Sequence, residues 1–441
     1  MAFKTEASWS VLDDTDGKSV YYNKQISEYQ TKPTSSSHQA MWLPRDGNDT
    51  FGQDVKIIDN KIFASDPGRD EGSDTNAGKI YFQNTSDITN SISNNTRLSH
   101  SNKQGFIGDG ANEVMGTGGG WDVGHGILVY VNPNITSQCN YYAISNAYDF
   151  DDTSRPVVKK TFNVYDASGT AASDTVGVAV GNHRVYVLYE AASVQRVNSY
   201  LLYTDKDGTY DDAVPKVGTG GNQGEEKNIS LGSAVLTADY THIHAKDGLV
   251  LAGKDGFTDV YTADLSYLGT LANGGDGYNT VDLGSNRIAA IESGTVYIYD
   301  YNLQPIGSIT NPANGTTPAS SVAVGNDMIL VCYSSQSSPT GLGNIANGGA
   351  WYLFDLDGNV LTDYGQTGGV FWAFGLVTSN DFFGTSCAMG NGYMAIGAPS
   401  YLDNDPVLTG FNNSRDGGVL VYKIPQTFST YMQEKLEYMK W

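Results

Sequence analysis

"DFFGTSCAMGNGYMAIGAPS", residues 381–400, opens on Phe383-Gly384, runs through alternating small and apolar residues, turns on Gly-Asn-Gly and closes on Gly397-Ala398-Pro399. Alternation with period two places successive side chains on opposite faces of a sheet, and an Asn-Gly pair supplies the positive φ that a two-residue hairpin needs. The stretch therefore reads as strand, tight turn, strand.

The pattern recurs. "FGQDVKIIDNKIFASDPGRDEGSDTNAGKIYFQ" (51–83) carries Phe51-Gly52, an alternation, an Asp-Asn turn and a second alternation, and the unit at 381–400 continues through "GGVLVYKIP" (417–425). Copies without the Phe-Gly and Gly-Ala-Pro ends read "GGGWDVGHGILVYVN" (118–132), "VGVAVGNHRVYVLYE" (176–190), "THIHAKDGLVLAGKDGFTDVYTADLSYLGTL" (241–271), "NTVDLGSNRIAAIESGTVYIYDYNLQPIGSI" (279–309) and "SSVAVGNDMILVCYSS" (320–335), which makes seven units. Most continue into a third strand ending in an Asp-centred hairpin, as in "FNVYDASGT" (162–170) and "WYLFDLDGNVLT" (351–362).

Each unit is thus a four-stranded antiparallel meander that cannot cover both of its faces alone. Radial packing into a closed ring solves this and leaves only short edges. The expected fold is all-β: a single β-propeller over 51–425, with seven blades, six or eight being the nearest alternatives and a β-sandwich array the competing architecture. Phe51 and Phe383 would pack between blades. Gly52 and Gly384 would admit the adjoining strand, and Gly397-Ala398-Pro399 would end the second strand.

This arrangement resembles the FG-GAP repeat of integrin-α-type propellers. In that family's calcium-binding members an Asp-x-Asp-x-Asp-Gly loop joins the first two strands of a blade. Here that connection is only "GNH", "GND" or "GNG", too short to wrap a cation with six or more oxygens. Asp205, Asp207 and Asp211 in "TDKDGTYDD" (204–212), and the loop "FDLDGN" (354–359), look cation-like. They follow the third strand, where Asp-Gly is ordinary turn chemistry. A structural turn is expected there, with calcium the lesser reading, and no other cofactor is expected.

Residues 1–50 match the repeat poorly. They read as a hairpin about Asp16-Gly17 followed by the apolar "HQAMWLP". The last blade lacks a fourth strand after "VLVYKIP", so an N-terminal strand is expected to complete it and fasten the ring. In residues 426–441, "QTFSTYMQEKLEYMKW", Phe428, Met432, Leu436 and Met439 recur at helical intervals. A helix of about a dozen residues is marginal alone in water, so this stripe is expected to dock, on the propeller's flank or on a partner subunit.

The 441 residues include 52 Gly and 29 Tyr, and 48 acidic against 26 basic residues give a net charge of −22. No basic stripe tracks a phosphate backbone, which argues against nucleic acid. The opening "MAFKTEASWS" has no apolar core of a signal peptide, and no stretch is long enough for a membrane span; synthesis in a cytoplasm without membrane insertion is expected. Cys139, Cys332 and Cys387 read as free buried thiols. His242 and His244 share a strand face, with ordinary packing expected rather than a metal.

No G-x-S-x-G elbow, P-loop or His-Glu-x-x-His is present. The turns do not reproduce sialidase boxes, and the repeated tryptophan signature of quinone dehydrogenases is missing. No enzyme activity is expected, although 48 acidic residues leave a glycoside hydrolase open. The leading expectation is a non-catalytic structural or decorating subunit of a virus particle, because the Asn-, Thr-, Gly- and Tyr-rich composition looks like that of phage tail, fibre and capsid-decoration proteins. Its partners would be other virion proteins. The alternative is an adhesion propeller that binds a host-surface glycan through Trp121, Tyr141, Tyr142, Phe371 and Trp372.

Overall fold

The computed structural model describes residues 39–43 and most of 50–423; residues 1–38, 44–49, 86–97, 100–104, 144–158, 204–213, 216–224, 231–239, 338–345, 362–379, 402–416 and 424–441 are among those outside the description. Seven antiparallel sheets follow one another along the chain. Blade 1 comprises Val55–Ile58, Lys61–Asp66, Lys79–Asn84 and Gly105–Ile107. Blade 2 comprises Trp121–Gly124, Ile127–Val131, Gln138–Ala143 and Lys159–Asn163. Blade 3 is built from Asp174–Gly181, Arg184–Ala191, Val194–Tyr203 and Glu225–Ser230, with Val214–Pro215 also paired to its third strand.

Blade 4 is His242–Lys246, Leu249–Lys254, Phe257–Thr262 and Tyr267–Leu271. Blade 5 is Val281–Gly284, Arg287–Glu292, Thr295–Asp300 and Pro305–Ile309. Blade 6 has Ser321–Gly325, Met328–Tyr333 and Ala350–Phe354, extended by a bridge from Phe354 to Val360. Blade 7 has Ser386–Gly390, Tyr393–Ala398 and Gly418–Lys423, and its fourth strand is Gln39–Leu43, antiparallel to Gly418–Lys423 with Ala40 opposite Val421. The N-terminal segment therefore completes the blade formed by the C-terminal repeat.

Seven apolar clusters fill the seven interfaces between successive blades. Phe63, Phe82 and Phe106 of blade 1 meet Trp121, Leu128 and Tyr130 of blade 2. The ring closes where Val419, Val421 and Ala395 of blade 7 pack on Phe51, Val55, Ile62 and Tyr81 at blade 1. A sandwich array would leave two terminal faces without a partner; here the last sheet covers the first. Each fully buried large apolar side chain stabilises the fold by about 1.5–3 kcal/mol, so the blades are held mainly by what lies between them.

The hairpin between the first two strands of every blade has two residues, with both φ values positive where the turn is Asn182-His183 (56° and 57°) or Asn326-Asp327 (51° and 57°). That is the turn whose twist matches its strands. In four blades the first turn residue also accepts from the next blade's turn. His183 N donates to His125 Nε2 (3.1 Å), Gly248 N to Asn182 Oδ1 (2.7 Å), Asp327 N to Ser285 Oγ (3.3 Å) and Gly392 N to Asn326 Oδ1 (3.1 Å). One polar residue thus solves both the local turn and the contact around the ring.

Inner strands approach closely just above these turns. A Cβ on Gly181 would lie 2.1 Å from the Ala245 carbonyl oxygen of the next blade. The small residues of "VAVG" at 178–181 and 322–325 do sit on innermost strands, where backbones converge.

Candidate functional site

The repeat-signature residues form an interblade clasp. Phe383 is buried in the cluster between blades 6 and 7, and forms a parallel bridge to Gly349, which precedes the third strand of blade 6. Phe51 repeats this with Gly417, before the third strand of blade 7. Gly52 and Gly384 have φ of 88° and 97°, and a Cβ on Gly384 would stand 2.6 Å from Cys332 Cβ. Gly397 and Ala398 end the second strand of blade 7, and Gly397 O accepts from Gly384 N at 2.9 Å. Pro399 follows directly.

A third clasp escaped the sequence reading. Met115-Gly116 occupies the same geometry, with Met115 bridged to Gly78 before the third strand of blade 1 and Gly116 at φ 99°. Met replaces Phe, which hid it. The shared signal was Asn-Glu-Val-Met-Gly (112–116) against Asn-Asp-Phe-Phe-Gly (380–384).

The Asp turns behave as local structure where they are described. Asp355 Oδ1 accepts from Asp357 N (3.0 Å) and Asn359 N (2.8 Å), and its Oδ2 accepts from Asn359 Nδ2 (2.9 Å). Asp300 Oδ1 likewise accepts from Asn302 N and Gln304 N at 2.9 and 2.8 Å. Asp205, Asp207 and Asp211 lie outside the described residues, as do Phe371 and Trp372, the stripe Phe428, Met432, Leu436 and Met439, and the hairpin about Asp16-Gly17.

Three proposed glycan contacts need correction. Trp121, Tyr141 and Tyr142 lie on strands of blade 2, not on loops, and are 0%, 4% and 2% exposed. Trp121 and Tyr142 fill the interface with blade 1, and Tyr141 the interface with blade 3. A ring enclosed by its neighbours has no free face to stack on a sugar. Cys139 and Cys332 are buried free thiols, burial pushing Cys139 well up, and Cys387 is half-buried.

What the sequence reading missed is the central channel. Counted back from the two-residue turns, the seven inner strands place Lys56, Asp122, Ala179, His244, Asp282, Ala323 and Ala388 at one level of the ring. Lys56 Nζ lies 2.9 Å from Asp122 Oδ1 and donates to the Tyr278 hydroxyl. Asp122 Oδ2 accepts from Val180 N of blade 3 at 2.7 Å, and Asp282 Oδ2 does the same with Val324 N of blade 6, also at 2.7 Å. Two blades thus use an inner-strand aspartate to tie down the next blade.

Tyr278 belongs to a short 3-10 turn, Tyr278–Thr280, between blades 4 and 5. Its ring stacks on His244 at 4.9 Å and lies so close to the Gly118-Gly119 segment that a Cβ on Gly119 would stand 3.2 Å from it, while Asn279 Nδ2 donates to Thr385 O at 3.3 Å. The turn therefore spans one end of the channel, touching the inner strands of blades 1 and 4 and the approaches to blades 2 and 7. The cavity below it is about 760 Å³ and reaches the turns at His125, His183 and Asp247.

Electrostatics follow from enclosure. Burial raises Asp54 to about 6, the charge of Asp122 adding to this and that of Lys56 opposing it. Burial pulls Lys56 down, but Asp122, Tyr278 and Asp54 together hold it well above its ordinary value. Burial raises Asp282 against the attraction of Lys246. Burial lowers His242 to about 4, and burial with the neighbouring His242 and Lys56 holds His244 well below the usual imidazole value. His244 stacks on Tyr278, and His242 meets the His244 ring edge-on. Among the described residues no three His, Cys, Asp or Glu gather as metal ligands.

No protein-family model matches the chain, and no curated protein matches it. Solved structures with similar backbones include Hsv2p of Kluyveromyces lactis (8% identity over 66% of this chain and 73% of that one, TM-score 0.36), the computationally designed Ika8 protein (12%, 88% and 100%, TM-score 0.43) and BBS1N in complex with ARL6DN (10%, 84% and 89%, TM-score 0.41). At these scores the likeness adds nothing to the strand count made above. The chain is a seven-bladed β-propeller with a polar channel spanned at one end.

Proposed function

We propose that the protein is a non-catalytic structural or decorating subunit of a virus particle, a propeller that docks on neighbouring subunits through its outer rim. The observation that carries the docking half is a run of apolar side chains on the outer strands of three consecutive blades. Tyr267 and Leu268 on blade 4, Ile306 on blade 5 and Val360 at blade 6 are 60%, 46%, 40% and 43% exposed in a chain of net charge −22. Exposed apolar groups gathered on one region mark protein contacts.

The outer strands of blades 4 and 5 are in contact with the neighbouring blade: a Cβ on Gly269 would meet Leu303, and one on Gly307 would meet Asp357 O. Side-chain docking, rather than strand addition, is the mode that suits them. Register shifts at Val260/Tyr261 and Ile298/Tyr299 bend both outer strands, and Pro305 removes a donor from the second. The particle half of the reading rests on the Asn-, Thr-, Gly- and Tyr-rich composition.

The test is co-sedimentation with purified particles. The wild-type chain is expected in the particle fraction at fixed stoichiometry, and Tyr267→Asp with Ile306→Asp is expected in the free fraction with its unfolding midpoint unchanged. A wild-type chain found only as free monomer, or a double variant that stays with the particle, ends the reading.

A further inference from the structure

We propose that the channel binds a linear aliphatic polyamine, threaded along the ring axis. The site lies away from the docking rim and does not depend on it. Among the described residues its wall carries four aspartates, Asp54, Asp122, Asp247 and Asp282, against two lysines, Lys56 and Lys246. Lys56 is paired with Asp122 at 2.9 Å and the charge of Lys246 acts on Asp282, so two carboxylates remain in surplus. An enclosed wall with one sign in excess concentrates ligands of the other sign, here in a chain of net charge −22. The cavity of about 760 Å³ falls in the range of small-molecule sites, roughly 300–1,000 Å³.

Geometry selects among cations. Asp54 stands two residues before Lys56, toward the Tyr278 end, and Asp247 opens the turn three residues after His244, at the mouth. Lys56 and His244 share a level, so five residue steps at about 3.3 Å each put the two surplus carboxylates roughly 16 Å apart along the axis, with Asp122 and Asp282 between them. A chain of several ammoniums reaches carboxylates spread in this way, and a compact metal ion does not; among the described residues no three His, Cys, Asp or Glu gather as metal ligands. Ala388, half-buried at the middle level, leaves room for the methylenes. A second observation lies at the closed end. Asp54 is 2% exposed and its Oδ2 is enclosed without a hydrogen-bond partner, while the Trp121 indole that acts on it leaves its own Nε1 unpaired as well. Buried acceptors are normally satisfied, and an ammonium supplies both the donor and the charge that this one lacks. At the mouth Asp247 is exposed and accepts a neutral hydroxyl, that of Tyr301 at 3.0 Å.

The experiment is calorimetric titration of the full chain with spermine, spermidine and putrescine in about 0.15 M NaCl, which screens diffuse attraction to the acidic surface. Propylamine, magnesium and calcium are the comparators. Spermine or spermidine is expected to bind once per chain at about 100 μM or tighter, and putrescine, too short to span the levels, more weakly. Asp54→Asn and Asp247→Asn each keep the side chain's shape and remove one surplus charge, and each is expected to weaken binding ~10-fold. Asp357→Asn removes an exposed carboxylate on the rim and should leave binding unchanged. Trp121, 5.0 Å from Lys56 Nζ, should report binding by its fluorescence. Urea unfolding verifies each variant's fold, and either channel variant alone is decisive. Three results overturn the proposal: no saturable polyamine binding at about 10 mM, binding indifferent to a folded channel variant, or propylamine, magnesium or calcium bound as tightly as spermidine.

Discussion

Asp54 sits at the foot of the channel with 2% of its surface exposed, on the approach to the first blade's inner strand. Its carboxyl is raised from 3.8 to about 6, chiefly by burial. Because the folded value exceeds the unfolded one, the folded chain holds an extra proton between about pH 4 and pH 6. The stabilisation tied to that proton is complete below the unfolded value and is lost as pH rises through the folded one. At 1.36 kcal/mol per pH unit, the interval between 3.8 and about 6 corresponds to about 3 kcal/mol. Asp54→Asn keeps the shape and cannot ionise, and Lys56 retains Asp122 as its partner. The variant's stability relative to wild type should therefore grow by about 3 kcal/mol between about pH 4 and pH 7. Urea unfolding followed by tryptophan fluorescence across that range measures the difference directly. Parallel stability curves, or a gap that narrows as pH rises, would refute the reasoning.

Further perturbations separate local conformation from packing. Gly349→Ala forces a side chain at φ 88° and places its Cβ 2.1 Å from Phe383 O, so a loss of about 3 kcal/mol or more is expected by denaturant titration; Gly248→Ala, at φ 85° with no atom within 4 Å, should cost only ~1 kcal/mol. Phe383→Ala empties part of the interface between blades 6 and 7 and should cost about 3–5 kcal/mol. In an NMR pH titration the His242 ring should stay neutral down to about pH 5 and titrate near 4, its lowered value meaning that stability present above the ordinary imidazole range is lost as pH falls. Deleting residues 1–43 removes the strand paired with Gly418–Lys423, and calorimetry should show a lowered, less cooperative transition.

The architecture was legible because its determinants are local and repeated. Asn182-His183 and Asn326-Asp327 announce two-residue hairpins by the backbone conformation they tolerate, and "VAVG" announces a strand that must approach another closely. The Phe51-Gly52 and Phe383-Gly384 clasps were readable for the same reason, while Met115-Gly116 was not, since an unbranched apolar side chain fills the same space without spelling the motif. The glycan reading failed at Trp121, Tyr141 and Tyr142 because strand alternation says which residues share a face but not whether the next blade covers it.

The order of strands, the turn type and the number of repeats were set by the chain itself, through side-chain periodicity and the few residues that accept positive φ. The channel was decided by tertiary structure alone. Lys56, Asp122 and Tyr278 are separated by tens to hundreds of residues, and only closure of the ring brings an ammonium, a carboxylate and a phenol together. Enclosure then does what no sequence pattern records: it strips water from these groups, pushes the Tyr278 hydroxyl above its ordinary value and makes each depend on the others.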